Sequence, residues 1–145
     1  PVVAKEPVEQ EGYERISFEE RIKSADKTIK DKYNELKSEI LSYGVKSRVA
    51  AGGDTFRLHT KTYVKLTIAG KSVKLYLALD PKDYKNTTIP FGDASHKNLY
   101  KEIPFVFKVK SDLSLRRAKQ LIAETMAKDG LVQEKVEKRD WVKEL

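Results

Sequence analysis

There is no cysteine anywhere in the 145 residues, which excludes disulfides, thiolate nucleophiles and cysteine zinc sites. Histidine is nearly as scarce. His59 and His96 stand alone and far apart, so no set of metal ligands with recognisable spacing can be drawn. Apolar runs are short, and none approaches the roughly 20 residues that a bilayer span requires. The opening PVVAKEPVEQEG lacks the basic-then-apolar pattern of a secretory signal. The resulting expectation is a cytoplasmic protein, or a cytoplasmic part of a longer one, with no membrane insertion. The adjacent glycines of AAGGDT (residues 50–55) have neither the lysine-serine ending nor the strand-to-helix setting of a phosphate loop, so they read as a hairpin turn. Nothing implies a cofactor.

Charge is abundant and unevenly spread. Charged residues make up 35% of the chain, and the net charge is +7. Residues 1–20 carry two basic and six acidic side chains, whereas residues 44–128 carry seventeen and seven. The positive excess therefore sits in the middle of the chain. A concentrated positive field attracts nucleic acid, acidic proteins or anionic surfaces; a lysine-rich solvated face is the plainer alternative.

Residues 1–15, with Pro1, Pro7 and scattered glutamates, read as a flexible acidic linker, and a chain opening this way is expected to be a segment of a longer protein. Ser17 and Glu20 then match a capping box. Phe18, Ile22, Ala25, Ile29, Tyr33, Leu36, Ile40 and Tyr43 recur at spacings of three and four, so one long amphipathic helix is predicted, stopped by Gly44. Its apolar stripe is either a seam for self-association or a face lying across a sheet, and the sheet that follows needs covering.

That sheet begins with VKSRVAAGGDTFRL (45–58), two short strands around the turn Ala51–Asp54, and continues with the hairpin TYVKLTIAGKSVKLYLAL (62–79). A type II′ turn with Gly70-Lys71 at its centre sets Ile68 opposite Val73, Leu66 opposite Leu75 and Val64 opposite Leu77. The alternative turn would oppose Lys65 and Lys74, which like-charge repulsion disfavours. Residues 80–103 form a long excursion broken by Pro81, Pro90 and Gly92. PFVFKVK (104–110) is a further strand, and a closing helix starts near Ser111 or Ser114, with Leu115, Ala118, Leu121, Ile122, Thr125 and Met126 on its core face. The predicted fold is α+β: an antiparallel five-stranded sheet, a four-strand meander plus a later strand, with the N-terminal and C-terminal helices packed on one face. The domain spans 16–131, and residues 132–145 form a tail with a short helix.

Catalytic constellations are weak. Asp93, Ser95 and His96 lie close in sequence, yet loop neighbours rarely adopt triad geometry. His59 reads as a surface side chain. Binding residues are better represented. Arg57, Tyr63, Lys65, Lys74, Tyr76, Lys108 and Lys110 share one face if the strands pair as predicted, so that lysines reach phosphates and tyrosines stack on unpaired bases. Arg116, Arg117 and Lys119 in SLRRAKQ (114–120) occupy the first turns of the last helix, where cations oppose the helix dipole, and this suggests a use in gripping an anion. The expected partners are nucleic acid or an acidic protein, with self-association through the first helix the lesser expectation. A noncatalytic binding module is the leading reading, a protein-interaction or assembly module the second, and an enzyme the third.

The succession LSYGVKSR (41–48), KTYVKLTIAGKSVKLYLALDP (61–81) and VFKVKSDLSLRRAKQLIAETM (106–126) resembles a bacterial domain of unassigned function that recurs, singly or in tandem, in proteins carrying zinc ribbons or other modules. The resemblance covers residues 16–131. In element order the chain is also similar to the MmcQ/YjbR-like group of small α+β domains, for which a DNA-binding role is suspected. The resemblance implies a small module used within larger proteins and assigns no catalytic residues.

Overall fold

The structure, a computed structural model, describes residues 16–145; the linker expected over 1–15 lies outside the described residues. The capping box forms as predicted. Ser17 Oγ accepts the Glu20 N–H at 3.2 Å, and Glu20 Oε1 accepts the Ser17 N–H at 3.3 Å. The helix it opens is short: α1 covers Phe18–Lys23, and a second helix, α2, covers Lys27–Leu41. The single long helix is thus two. Ser24 caps α1 with its hydroxyl donating to the Glu20 carbonyl, and Asp26 takes an extended conformation (φ −61°, ψ 155°) as the N-cap of α2. Short polar side chains compete for the backbone at this point, while the apolar spacing carries across the break unchanged.

The strands are β1 (Lys46–Ala50), β2 (Gly53–Leu58), β3 (Lys61–Ala69), β4 (Ser72–Leu77), β5 (Gly92–Asp93) and β6 (Phe105–Val109). They form one antiparallel sheet in the order β1-β2-β3-β4-β6-β5. There are six strands rather than five. The extra one, β5, is two residues within the excursion, too short for any alternation to announce. The β3–β4 register is the predicted one, with Ile68 opposite Val73, Leu66 opposite Leu75 and Val64 opposite Leu77. Gly70 supplies the positive φ (+62°) that the first central position of a II′ turn demands. Gly53 answers a different need, because a Cβ there would lie 2.7 Å from the Leu66 carbonyl oxygen.

The third helix, α3 (Asp112–Ala127), starts at Ser111, whose Oγ accepts the Ser114 N–H. Its Ala118, Leu121, Ile122 and Met126 share one core with Phe18, Ile22, Tyr33, Leu36 and Ile40 and with the alternate residues Val64, Leu66, Val73, Leu75, Phe105, Phe107 and Val109 of the sheet. The apolar stripe of α1 and α2 is therefore consumed inside the chain. The tail forms a turn rather than a helix, and it docks along α2: Trp141 Nε1 donates to Ser38 Oγ at 2.9 Å, the Val142 N–H donates to Asn34 Oδ1, and the Val142 side chain is buried.

One ion pair lies within this core. Asp54 is wholly buried, and its carboxylate receives Lys37 Nζ at 2.8 Å, the Tyr33 hydroxyl at 2.7 Å and the Ser47 hydroxyl at 2.5 Å. Burial, then the Asp54 charge, hold the Tyr33 phenol well above its ordinary pKa. Truncating one partner of such a pair leaves the other charge buried without compensation. Asp54→Ala is accordingly expected to cost about 3–5 kcal/mol, measured as a lowered urea midpoint at unchanged slope; a change of less than about 1 kcal/mol would show that the network contributes only as a surface pair would.

Candidate functional site

The face of the sheet turned away from the main core carries Lys65, Thr67, Lys74, Tyr76, Val106 and Lys108. In register, Lys65 opposes Tyr76, and Lys74 lies directly opposite Lys108. Like charges across neighbouring strands destabilise a sheet. Among the described residues, neither lysine has an ion-pair partner within 4.0 Å.

This face is not open, and here the sequence-based expectation needs correction. The excursion starts on the core side, where Tyr84, Ile89 and Phe91 pack against the main core and Tyr84 donates its hydroxyl to Glu124 of α3. It rounds the sheet edge as β5 and finishes on the outer face. There Ala94 and Ile103 build a second small core with Tyr76. Tyr100 stacks on Tyr76 at 4.0 Å with the rings 6° apart, Lys65 Nζ lies 5.3 Å from the Tyr100 centroid, and Lys74 Nζ lies 5.1 Å from that of Tyr76. Tyr76 is buried and already stacked within the protein, so it is not a free platform for a base.

Beside this stack runs a groove of about 720 Å³. Its floor comes from the sheet, with Lys74, Tyr76, Val106 and Lys108. One wall is the excursion, with Phe91, Gly92, Asp93, His96 and Lys97. The other is the end of β6 and the first two turns of α3, with Lys110, Leu113 and Arg117. Five lysine or arginine side chains thus meet one carboxylate. Asp93 accepts the Ser95 N–H at 2.9 Å, and hydrogen bonds from the Ser95 hydroxyl and then its amide hold the Asp93 carboxyl below the usual range. No hydrogen bond joins His96 to Asp93 or Ser95, so the trio does not form a nucleophilic triad. His59 sits exposed in the β2–β3 turn at φ 57°. Among the described residues, no group of three His, Asp or Glu is placed to hold a metal ion.

The sequence-derived residues divide accordingly. Lys74, Tyr76, Lys108, Lys110 and Arg117 line the groove, and Lys65 lies on the same face across the Tyr76–Tyr100 stack. Arg57 is exposed away from the groove, donating to the Thr60 carbonyl. Arg116 is exposed and does not line the groove. Lys119 is turned toward α2, paired with Glu35 at 2.5 Å.

Tyr63 is the clearest correction. A bulge between Phe56 and Arg57 shifts the register so that Phe56 opposes Val64 but Arg57 opposes Thr62. Tyr63 is the unpaired residue. Its ring joins the main core, and its hydroxyl donates to Asp129 Oδ2 at 2.6 Å, beside the Lys61 ammonium. Strict alternation carries no trace of such a bulge. Phe91, Asp93 and Lys97 are missing from the sequence-derived binding set because an irregular segment brings them in, and Leu113 because it lies on α3 outside that helix's core face. No protein-family model, no curated protein and no solved structure shows a match to the chain.

The Asp129 hydrogen bond, followed by burial, pushes the Tyr63 phenol up to about 12 from 10. A folded-state pKa above the unfolded one means the interaction contributes fully below pH 10 and is lost as pH rises through about 12. In a tyrosinate absorbance titration, Asp129→Asn is expected to add one tyrosine ionising nearer pH 10 than in the parent protein; superimposable titrations would detach Tyr63 from Asp129.

Proposed function

We propose that the chain is a noncatalytic binding module for a polyanion, with nucleic acid as the ligand, gripped along the groove. The observation that carries this is the convergence of Lys74, Lys97, Lys108, Lys110 and Arg117, from three separate parts of the chain, on one concave surface. Cations spread over a convex surface serve solubility, whereas cations around a cleft with low-dielectric walls focus their field on whatever enters it. The opposed Lys74 and Lys108 support the reading further, because a sheet selected for stability alone gains by placing a threonine or a carboxylate there. Such a ligand would set the module in the cytoplasm.

A second reading is an acidic protein partner. Leu99, 73% exposed beside Lys97, is the kind of apolar side chain that an interface covers, although a single exposed leucine is common on any surface.

Titration of fluorescent single- and double-stranded DNA and RNA at low and near-physiological salt tests the proposal. Micromolar binding that weakens steeply with salt is expected, with Lys108→Ala lowering the salt slope by about 1. Arg57→Glu and Arg116→Glu, outside the groove, leave affinity nearly unchanged. Lys108→Glu provides the sharper contrast. It places opposite charges face to face with Lys74, so it is expected to stabilise the fold by about 0.5 kcal/mol while weakening binding. Absence of binding to every nucleic acid at low salt, or equal losses from groove and non-groove reversals, would overturn the proposal.

A further inference from the structure

We infer that the groove seats a single nucleotide unit, its base against the apolar side chains of the lining and its phosphate toward the cations at the start of α3. The inference rests on the polyanion reading of the same site and deepens it. Three features of the lining are superfluous for phosphate alone.

The first is apolar surface among the cations. Phe91, held against Phe105 at 5.0 Å with rings 17° apart, and Leu113, half exposed, line the groove together with Val106. A backbone-tracking site has no use for them, whereas an unstacked base does.

The second is Asp93. A carboxylate among five cations repels phosphate, and the Ser95 N–H holds it in place. An ionised carboxylate only accepts hydrogen bonds, so a ligand that offers N–H donors beside its negative charge satisfies it. The amino groups on base edges are such donors.

The third is Gly92, opposite Val106 in the β5–β6 ladder. A Cβ at this position would lie 3.4 Å from Val106 Cβ, and its φ lies outside the positive range that disfavours side chains. Neither backbone conformation nor a backbone clash requires glycine here. What its lack of a side chain does is leave the floor beside Val106 clear. The groove volume falls within the range of small-molecule sites. A nucleotide that is free in solution and one extruded from a single strand present the same chemistry.

The test compares an oligonucleotide with an abasic oligonucleotide of equal length, so that the phosphate number is constant. On the parent protein the base-bearing strand is expected to bind about tenfold tighter, within the contribution of a single base contact. Gly92→Val, which fills the space beside Val106 without altering any charge, abolishes that preference, so that the two strands bind with equal affinity. Asp93→Asn reduces the preference without weakening the abasic strand. Titration of the parent protein with nucleoside monophosphates against ribose 5-phosphate, followed by amide shifts at Gly92, Asp93 and Val106, reads the same seat without any variant. Saturation by a monophosphate identifies a free nucleotide as a sufficient ligand, and saturation only by the oligonucleotide identifies the strand. Equal binding of base-bearing and abasic strands overturns the nucleotide seat while salt-dependent binding of both preserves the polyanion reading. Binding of neither overturns both.

Discussion

The register of the β3–β4 hairpin is the constraint on which the rest depends. A two-residue turn at Gly70-Lys71 fixes it, and because strand side chains alternate with a period of two, a slip of one residue would carry every apolar side chain to the wrong face. With the register as it stands, Val64, Leu66, Ile68, Val73, Leu75 and Leu77 enter the core together. The same register, extended to β6, puts Lys74 opposite Lys108. The hairpin that avoids one lysine pair, Lys65 with Lys74, thereby accepts another. Core burial dominates this choice, since each of those apolar side chains contributes about 1.5–3 kcal/mol when fully buried, against tenths of a kcal/mol for a cross-strand repulsion.

How the excursion uses the resulting outer face follows from the same geometry. The β4–β6 strip presents Tyr76 and Val106 between lysines, apolar enough to be worth covering yet too charged to be covered completely. Tyr100, Ala94 and Ile103 take the apolar part. The Tyr76–Tyr100 pair then lies between the ammonium groups of Lys65 and Lys74, an arrangement in which ring faces offset part of the charge that no carboxylate neutralises. What is left uncovered is the concave strip beside the stack, lined by Lys74 and Lys108.

Much of the fold was legible because it is encoded locally. The Ser17–Glu20 capping box, the Gly70 turn and the alternation of β3, β4 and β6 each sit within a few residues of the structure they specify. The division of α1 from α2 was not, because Phe18 through Tyr43 keep helical spacing straight through Ser24–Asp26 and only the backbone departs. Tyr63 was misplaced for the opposite reason. The alternation that assigned it outward is genuine on either side, and one bulge reverses it locally. The candidate site was half legible. Its sheet lysines follow from register, and Lys110 and Arg117 follow from the β6–α3 junction. Phe91, Asp93 and Lys97 enter through a segment whose course is set by long-range packing on Phe105 and Tyr76, which no local periodicity records.

The lysines that tie the helices to the sheet differ from those of the groove in what faces them. Three of them have an acid: Lys37 with Asp54, Lys61 with Asp129 and Lys119 with Glu35. These pairs link α2, α3 and the sheet, and the Lys37–Asp54 pair is buried, so that removing either partner leaves the other without compensation. Around the groove, Lys74, Lys97, Lys108, Lys110 and Arg117 share only Asp93, whose carboxylate is already engaged by Ser95. Among the described residues the five groove cations carry no ion pair, and the polyanion proposed above is a partner that would compensate them.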